Sequence, residues 1–187
     1  FRDDLIQTPG YNPTVKGNIK QIKKAFDLIK ESKRPMILAG AGVIIANACC
    51  ELKKLAETIN APVMTSLLGK GAFDETDDLA LGMLGMHGRK VSNDSINECD
   101  LLIAIGIRFS DRTTGRLDSF VPDSKVIHID IDPAEIGKNV CVDLPIVGDA
   151  KNVLKSLINC FKGYAPNKDV NDWTNKIKQR KVLKTTK

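Results

Sequence analysis

The sequence predicts an α/β fold, a doubly wound parallel sheet with helices on both faces. Two observations predict it. Short, almost unbroken apolar runs recur along the chain, among them Met36-Ile37-Leu38-Ala39 and Leu101-Leu102-Ile103-Ala104-Ile105. Strands buried on both faces read this way, because neither side alternates with solvent. Between these runs lie stretches whose apolar residues recur at three- and four-residue spacing, the period of a helix with one covered face. Strands alternating with helices give a parallel sheet, and right-handed crossovers place helices on both sides of it. At 187 residues the chain suits one domain, able to bury about 70% of the surface its unfolded form exposes.

Residues 1–16 carry Pro9, Gly10 and Pro13 without periodicity and read as an incoming linker. A central domain is expected over 17–163. From Asn18 the pattern is helical, with Ile19, Ile22, Phe26 and Ile29 on one face, until Arg34-Pro35 stops it. The strand 36–39 ends in Gly40-Ala41-Gly42, a tight turn into a helix whose inner face is Leu52, Leu55, Ala56 and Ile59. Asn60-Ala61-Pro62 breaks that helix before a second strand, Val63-Met64-Thr65. Residues 66–86 are glycine-rich and predict a long functional loop with little regular structure. A helical stretch over 88–98 precedes the strand from Leu101, followed by a strand over 126–131 and a short one at Ile146-Val147. Ala150 begins a helix with Val153, Leu154, Leu157, Ile158 and Phe161 inside. Past Gly163 the chain turns polar, and 164–187 reads as a linker leading towards a further domain. The whole is a Rossmann-like arrangement.

Composition excludes several classes. Hydrophobic content of 42% and charged content of 27% are ordinary for a soluble protein. No apolar run approaches the roughly 20 residues that span a bilayer. Phe1-Arg2-Asp3-Asp4 lacks both a signal peptide's basic-then-apolar order and an initiating Met, so the sequence reads as a piece of a longer protein. The five cysteines are odd in number and show no CxxC spacing. Free thiols filling core space in a reducing, cytoplasmic compartment are expected, without disulfides or zinc. The net charge of +5 gathers in the tail at Lys176, Lys178, Arg180, Lys181, Lys184 and Lys187. Only Trp173 lies near to stack a base, so a solvated face or linker is expected there and no nucleic acid.

In open parallel sheets ligands bind beyond the carboxyl ends of the strands, which singles out the residues just after each strand. Gly40-Ala41-Gly42 either lets backbone amides approach a diphosphate or serves only to turn tightly. A dinucleotide fingerprint is excluded, because Ile45 holds the third glycine position and the second strand ends in Thr65-Ser66, not in an acid. Arg108 and Arg112 suit phosphate or planar rings; the alternative is an ion pair of Arg112 with the neighbouring Asp111. Asp130 and Asp132 alternate with isoleucines and face one side, able to grip ribose or adenine donors, or a metal. Asp132 precedes Pro133 and alternatively caps a helix starting there. His87 has no nucleophile or carboxylate near it in sequence and reads as a positioning or loop-bonding residue. His128 reads as a satisfied core histidine.

Ordered segments carry a family resemblance. Thr65-Ser66-Leu67-Leu68-Gly69-Lys70-Gly71-Ala72-Phe73, Gly82-Met83-Leu84-Gly85-Met86-His87-Gly88, the run from Asp100 to Gly115, His128-Ile129-Asp130-Ile131-Asp132-Pro133-Ala134-Glu135-Ile136 and Pro145-Ile146-Val147-Gly148-Asp149 together resemble acetolactate (acetohydroxyacid) synthase large subunits. The likeness runs from about Pro35 to Leu157 in the same order and spacing. It implies the middle of three α/β domains, binding FAD, with thiamine diphosphate and Mg²⁺ held by the first and third. The enzyme so implied decarboxylates pyruvate on thiamine and joins the two-carbon unit to pyruvate or 2-oxobutyrate, towards branched-chain amino acids. Its FAD takes no net redox part. The resemblance also implies a homodimer or homotetramer of catalytic subunits with a regulatory small subunit, and 2-oxoacid substrates.

Residue by residue, the resemblance implies Gly40, Ala41 and Gly42 along the phosphate and ribityl region, and Ser66, Leu67, Leu84, Gly85, Met86 and His87 at the flavin side. Gly106, Arg108, Arg112 and Thr113 would hold the middle, while Asp130, Ile131, Gly148, Asp149 and Ala150 surround the adenosine end. Met86, Asp111 and Arg112 would also lie near the channel to the thiamine. Leu68 and Ser110 depart from the commoner residues, Met or Gln and Asp respectively. The activating glutamate and the Gly-Asp-Gly metal motif belong to the outer domains, so the chain alone is expected to be inactive. Gly148-Asp149-Ala150 with Asn175 only imitates that motif, its third residue not being glycine. Two alternatives remain at this point: the middle domain of a pyruvate oxidase or glyoxylate carboligase type of thiamine enzyme, or a stand-alone nucleotide-binding module.

Overall fold

A computed structural model describes residues 12–185, so most of the expected incoming linker, 1–11, lies outside the described residues. Six strands, β1 (Pro35–Ala39), β2 (Val63–Thr65), β3 (Ala80–Met83), β4 (Leu101–Ile105), β5 (Lys125–Asp130) and β6 (Leu144–Val147), form one sheet in the order β3-β2-β1-β4-β5-β6. Every pairing is parallel. The order reverses between β1 and β4, which makes their carboxyl ends the topological switch point. Strands β1 and β4 are buried throughout, as their unbroken apolar sequences require.

Helices cover both faces. On one lie α1 (Ile19–Glu31), the short α2 (Ala41–Ile45), α3 (Cys49–Ile59) and α6 (Ala150–Cys160), packed on Ile37, Ile103, Ile127 and Ile146. On the other, α4 (Lys90–Ile96) and α7 (Lys168–Thr185) pack on Met36, Leu38, Leu102 and Val126. A one-turn α5 (Asp111–Thr114) follows β4. Helix α1 begins where the Asn18 side chain accepts from Lys20 N at 2.9 Å, and α6 where Asp149 accepts from Asn152 N at 3.0 Å. Each such cap satisfies a backbone donor that the helix itself cannot.

The structure corrects several expectations. Ile19 does not join the inner face of α1: it is 58% exposed in the first turn, and Ala25 takes the buried place. The single helix expected after Gly42 is two, separated by Asn47 at φ 50°. Residues 66–86 are not all loop, since Ala80–Met83 adds an edge strand. No helix follows Asp132; residues 133–137 form successive turns. The cysteines are free but do not all fill core space, because Cys50 and Cys141 are exposed. Only Cys99 is fully buried, and burial pushes its thiol up to about 11.

The tail differs most. Instead of a solvated linker, 168–185 is helical, with Val170, Trp173, Thr174 and Ile177 buried, Trp173 and Ile177 within the core on that face of the sheet. The Trp173 indole N–H donates to Pro35 O at 3.3 Å, and Thr174 Oγ1 to Asn60 O at 2.6 Å. The basic residues are largely paired: Arg180 and Lys176 with Glu98, Lys178 with Asp78. Among the described residues no helix is long and apolar enough to cross a membrane.

Candidate ligand site at the switch point

The carboxyl-end rim of the sheet opens into a cavity of about 720 Å³, within the roughly 300–1,000 Å³ of small-molecule sites. Backbone proximity builds its floor. Gly40 N donates to Ile105 O at 2.9 Å and Gly42 N to Gly106 O at 3.0 Å. A Cβ on Gly40 would stand 2.1 Å from Gly106 O, and one on Gly42 2.6 Å from Gly106 Cα. The Gly-Ala-Gly turn therefore exists first for close approach of the β1 and β4 ends, which is more than tight turning. Two of its amides already have protein partners, and α2 is too short for a strong dipole. Anion attraction here must come from elsewhere.

It can come from Arg108 and Arg112. Both line the cavity, both are exposed, and neither makes an ion pair among the described residues. The expected alternative, an Asp111–Arg112 ion pair, is replaced by a backbone bond: Asp111 Oδ1 accepts from Arg112 N at 2.8 Å. The guanidinium is left to a ligand. Arg112 O in turn accepts from Met86 N at 3.0 Å, and a Cβ on Gly85 would lie 2.2 Å from the same oxygen. Gly85 is also clasped by Asn93, whose Oδ1 accepts from Gly85 N at 2.9 Å while its Nδ2 donates to Gly85 O at 3.0 Å. So Gly85 and Met86 brace the wall without lining it, as do Gly40 and Asp111; the remaining predicted residues line it.

At the other end stands Asp130, 9% exposed. Its Oδ1 accepts from Asp132 N at 2.9 Å. Burial first, then the nearby Asp132 and Glu135 carboxylates, push its carboxyl above the ordinary range. Asp132 caps a turn, not a helix, accepting from Ala134 N at 2.9 Å. Among the described residues no group of three or more His, Cys, Asp and Glu side chains could hold a metal ion; a carboxylate such as Asp130 accepts hydrogen bonds from donors. Gly148 N donates to Asp130 O at 2.9 Å and Asp149 is the cap of α6, which accounts for the superficial metal motif as a strand-to-helix turn.

His87 is exposed on the cavity wall. His128 is fully buried behind it, with Nε2 2.8 Å from Ile107 O and Nδ1 without a partner, so it is only half satisfied. Burial pushes its pKa down, so the ring is neutral near pH 7.

Sequence reading missed Ile45, Ala46, Met83, Phe109, Ile129 and Glu135 in the lining. Ile45 was legible only as a failed glycine position. The rim holds large exposed apolar side chains, with Ile45 83%, Leu68 77% and Leu67 64% exposed. Apolar side chains gathered in this way are costly to leave in water.

A doubly wound parallel sheet with a cavity across its switch point, cations in the middle and carboxylates at one end, defines a Rossmann-like domain. The chain belongs to the family described as thiamine pyrophosphate enzyme, central domain, whose model matches residues 22–157. It is 56% identical over 178 residues to a probable acetolactate synthase large subunit of Methanocaldococcus jannaschii, covering 95% of this chain and 30% of that protein. It is 46% identical over 180 residues to the acetolactate synthase large subunit of Buchnera aphidicola, covering 96% and 32%. It is 44% identical over 183 residues to that of Haemophilus influenzae, covering 97% and 32%. The chain thus spans about a third of the length of these relatives.

Proposed function

We propose that this chain is the flavin-holding middle domain of an acetolactate synthase catalytic subunit. One observation carries the flavin reading: the order of chemistry along the rim follows the strand order. At or just past the ends of β2 and β3 lie Leu67, Leu68, Met83 and Leu84; past β1 and β4, the glycines with Arg108 and Arg112; at or past the ends of β5 and β6, Asp130 and Asp149. Five strand spacings make this about 24 Å long. An apolar ring system, a diphosphate and an adenosine, joined in that order, are the parts of FAD. The bound group supplies a rigid filler between domains and no net redox change.

The residues' tasks follow from their chemistry. Arg108 and Arg112 neutralise and orient the diphosphate with forked donors. Asp130 accepts from ribose or adenine donors in a poorly solvated place, where such a bond is strongest. Leu67, Leu84 and the exposed rim exclude water from the ring system. Full catalysis needs thiamine diphosphate and Mg²⁺ on other domains, which act on 2-oxoacids. The names of the relatives as large subunits support a smaller partner subunit, and the family resemblance adds its regulatory role and a dimer or tetramer of the large one. Free cysteines support the cytoplasm or a similarly reducing compartment.

In the full-length protein, Arg108→Ala and Asp130→Ala should each weaken FAD binding about ten- to a hundredfold, the loss of a charged hydrogen bond worth roughly 1.5–3 kcal/mol. Flavin titration of apoprotein measures this, and unchanged affinity in both variants refutes the site. Acetolactate formation from pyruvate with thiamine diphosphate, Mg²⁺ and FAD tests the enzyme; its absence in a flavin-loaded full-length protein refutes the activity.

A further inference from the structure

Three successive backbone carbonyls after β4 are held from outside their own loop. Ile107 O faces His128 Nε2 at 2.8 Å. Arg108 O and Phe109 O both accept from the side-chain amide of Asn139, each at 3.1 Å from Nδ2. An amide nitrogen carries two N–H groups, so one Asn serves both oxygens, and only this orientation of the amide fits. Phe109 sits at φ 49°, a left-handed backbone unusual for a side chain of its size. Its ring is 2% exposed, packed 5.0 Å from the His128 ring and 5.9 Å from Phe120. The turn is thereby fixed on its inner side by ring packing and on its outer side by Asn139.

Asn139 belongs to the irregular connection 131–143, whose Asp132 and Glu135 line the cavity. Arg108, Phe109 and Ser110 line it from the facing segment. The Asn139 amide is therefore a strap between two walls that share no strand ladder at this level. We propose that Asn139 is a positioning residue: by holding the Arg108 and Phe109 carbonyls it fixes the course of the loop that aims the Arg108 guanidinium into the cavity. It touches no ligand itself. The role rests on the flavin reading for its consequence, but the strap stands on the hydrogen bonds alone. Positioning matters because a donor already held in its bound geometry loses less freedom on binding.

The test uses the full-length protein with Asn139→Ala, Arg108→Ala and the double variant. Hydrogen exchange without flavin should be several-fold faster over 107–113 in Asn139→Ala, with β4 and β5 amides unchanged. Unaltered exchange there overturns the strap. Flavin titration should show affinity about tenfold weaker in Asn139→Ala, and that loss should vanish in the Arg108→Ala background, since neighbours acting through one interaction are not additive. Losses that multiply in the double variant overturn a role exerted through Arg108. If exchange quickens while Arg108→Ala and Asp130→Ala hold flavin as tightly as the unaltered protein, the flavin reading falls, and the positioning role with it. A merely structural role for Asn139 would lower the melting temperature and show no coupling to Arg108.

Discussion

Asp130 serves two opposed demands. Its carboxyl is nearly buried at the end of β5, and burial raises its pKa, yet a ligand's donors are best met by the charged form. A folded-state pKa above the unfolded value means that the native state binds the extra proton. The associated stability is fully present below the ordinary aspartate pKa, about 3.9, and is lost as pH rises through the folded value. The charged form thus weakens the ligand-free fold at neutral pH. Asp130→Asn keeps the oxygen that accepts from Asp132 N and removes the charge. It should melt higher than the unaltered chain at neutral pH, with the gain shrinking on acidification, while flavin affinity falls about tenfold for loss of a charge-assisted bond. Calorimetry across pH and a flavin titration measure both; a lower melting temperature at neutral pH contradicts this account. At this scale the sequence was most legible where chemistry coincided with a strand end, as at Arg108, Asp130 and Asp149. It was least so for Asn139 and Phe109, whose roles arise from two irregular segments meeting in space.

Helix α7 shows how an element escapes sequence reading. Val170, Trp173, Thr174 and Ile177 do recur at helical spacing, but the covered stripe is narrow and lies among lysines and amides. Its partners, the Glu98 and Asp78 carboxylates and the Asp77 backbone carbonyl, lie far back along the chain. Edge strand β3 escaped for a related reason, its apolar run Ala80-Leu81-Gly82-Met83 being short and interrupted by a glycine within a glycine-rich stretch. Central strands needed no such context. Glu98 is the anchor of α7, gripped by both Arg180 nitrogens at 2.6 and 3.1 Å and by Lys176 at 3.2 Å. Arg180 first, then Lys176, hold its carboxyl below the ordinary range. A depressed folded pKa gives stability that is present above the unfolded glutamate value, about 4.3, and is lost as pH falls through the folded one. The carboxylate is partly exposed, so Glu98→Gln should cost only about 1 kcal/mol at neutral pH, with the difference disappearing in acid. Trp173 is the only tryptophan, so its emission reports α7 docking directly. Urea titration followed at that signal checks the loss, and an equal loss in acid would show that charge is not its source.

At the scale of the molecule, one arrangement organises the rest: a sheet that reverses its winding between β1 and β4 opens a crevice there and leaves its mouth apolar. Leu68 and Ile45 stand at that mouth, 77% and 83% exposed. Leu68 therefore contributes little to the fold of the chain by itself, and an exposed substitution typically changes stability by no more than about 0.5 kcal/mol. Leu68→Asp should leave the melting temperature of the 187-residue chain almost unchanged. The proposed enzyme predicts a different outcome in a protein about three times as long. In that reading the remaining domains would close the mouth over a flavin ring, so the same carboxylate would have to be desolvated without a partner, at a cost of several kcal/mol. The enzyme so proposed would meet that cost by releasing flavin or by opening the closure. Full-length Leu68→Asp should thus lose at least about tenfold in flavin affinity and lose acetolactate formation in parallel, with the chain by itself unaffected. Measured side by side, the melting curve of the chain and the flavin titration of the full-length protein separate the two roles of Leu68. If the longer protein tolerates the carboxylate as well as the chain does, the mouth of the cavity faces water in the enzyme and the flavin ring does not lie against it.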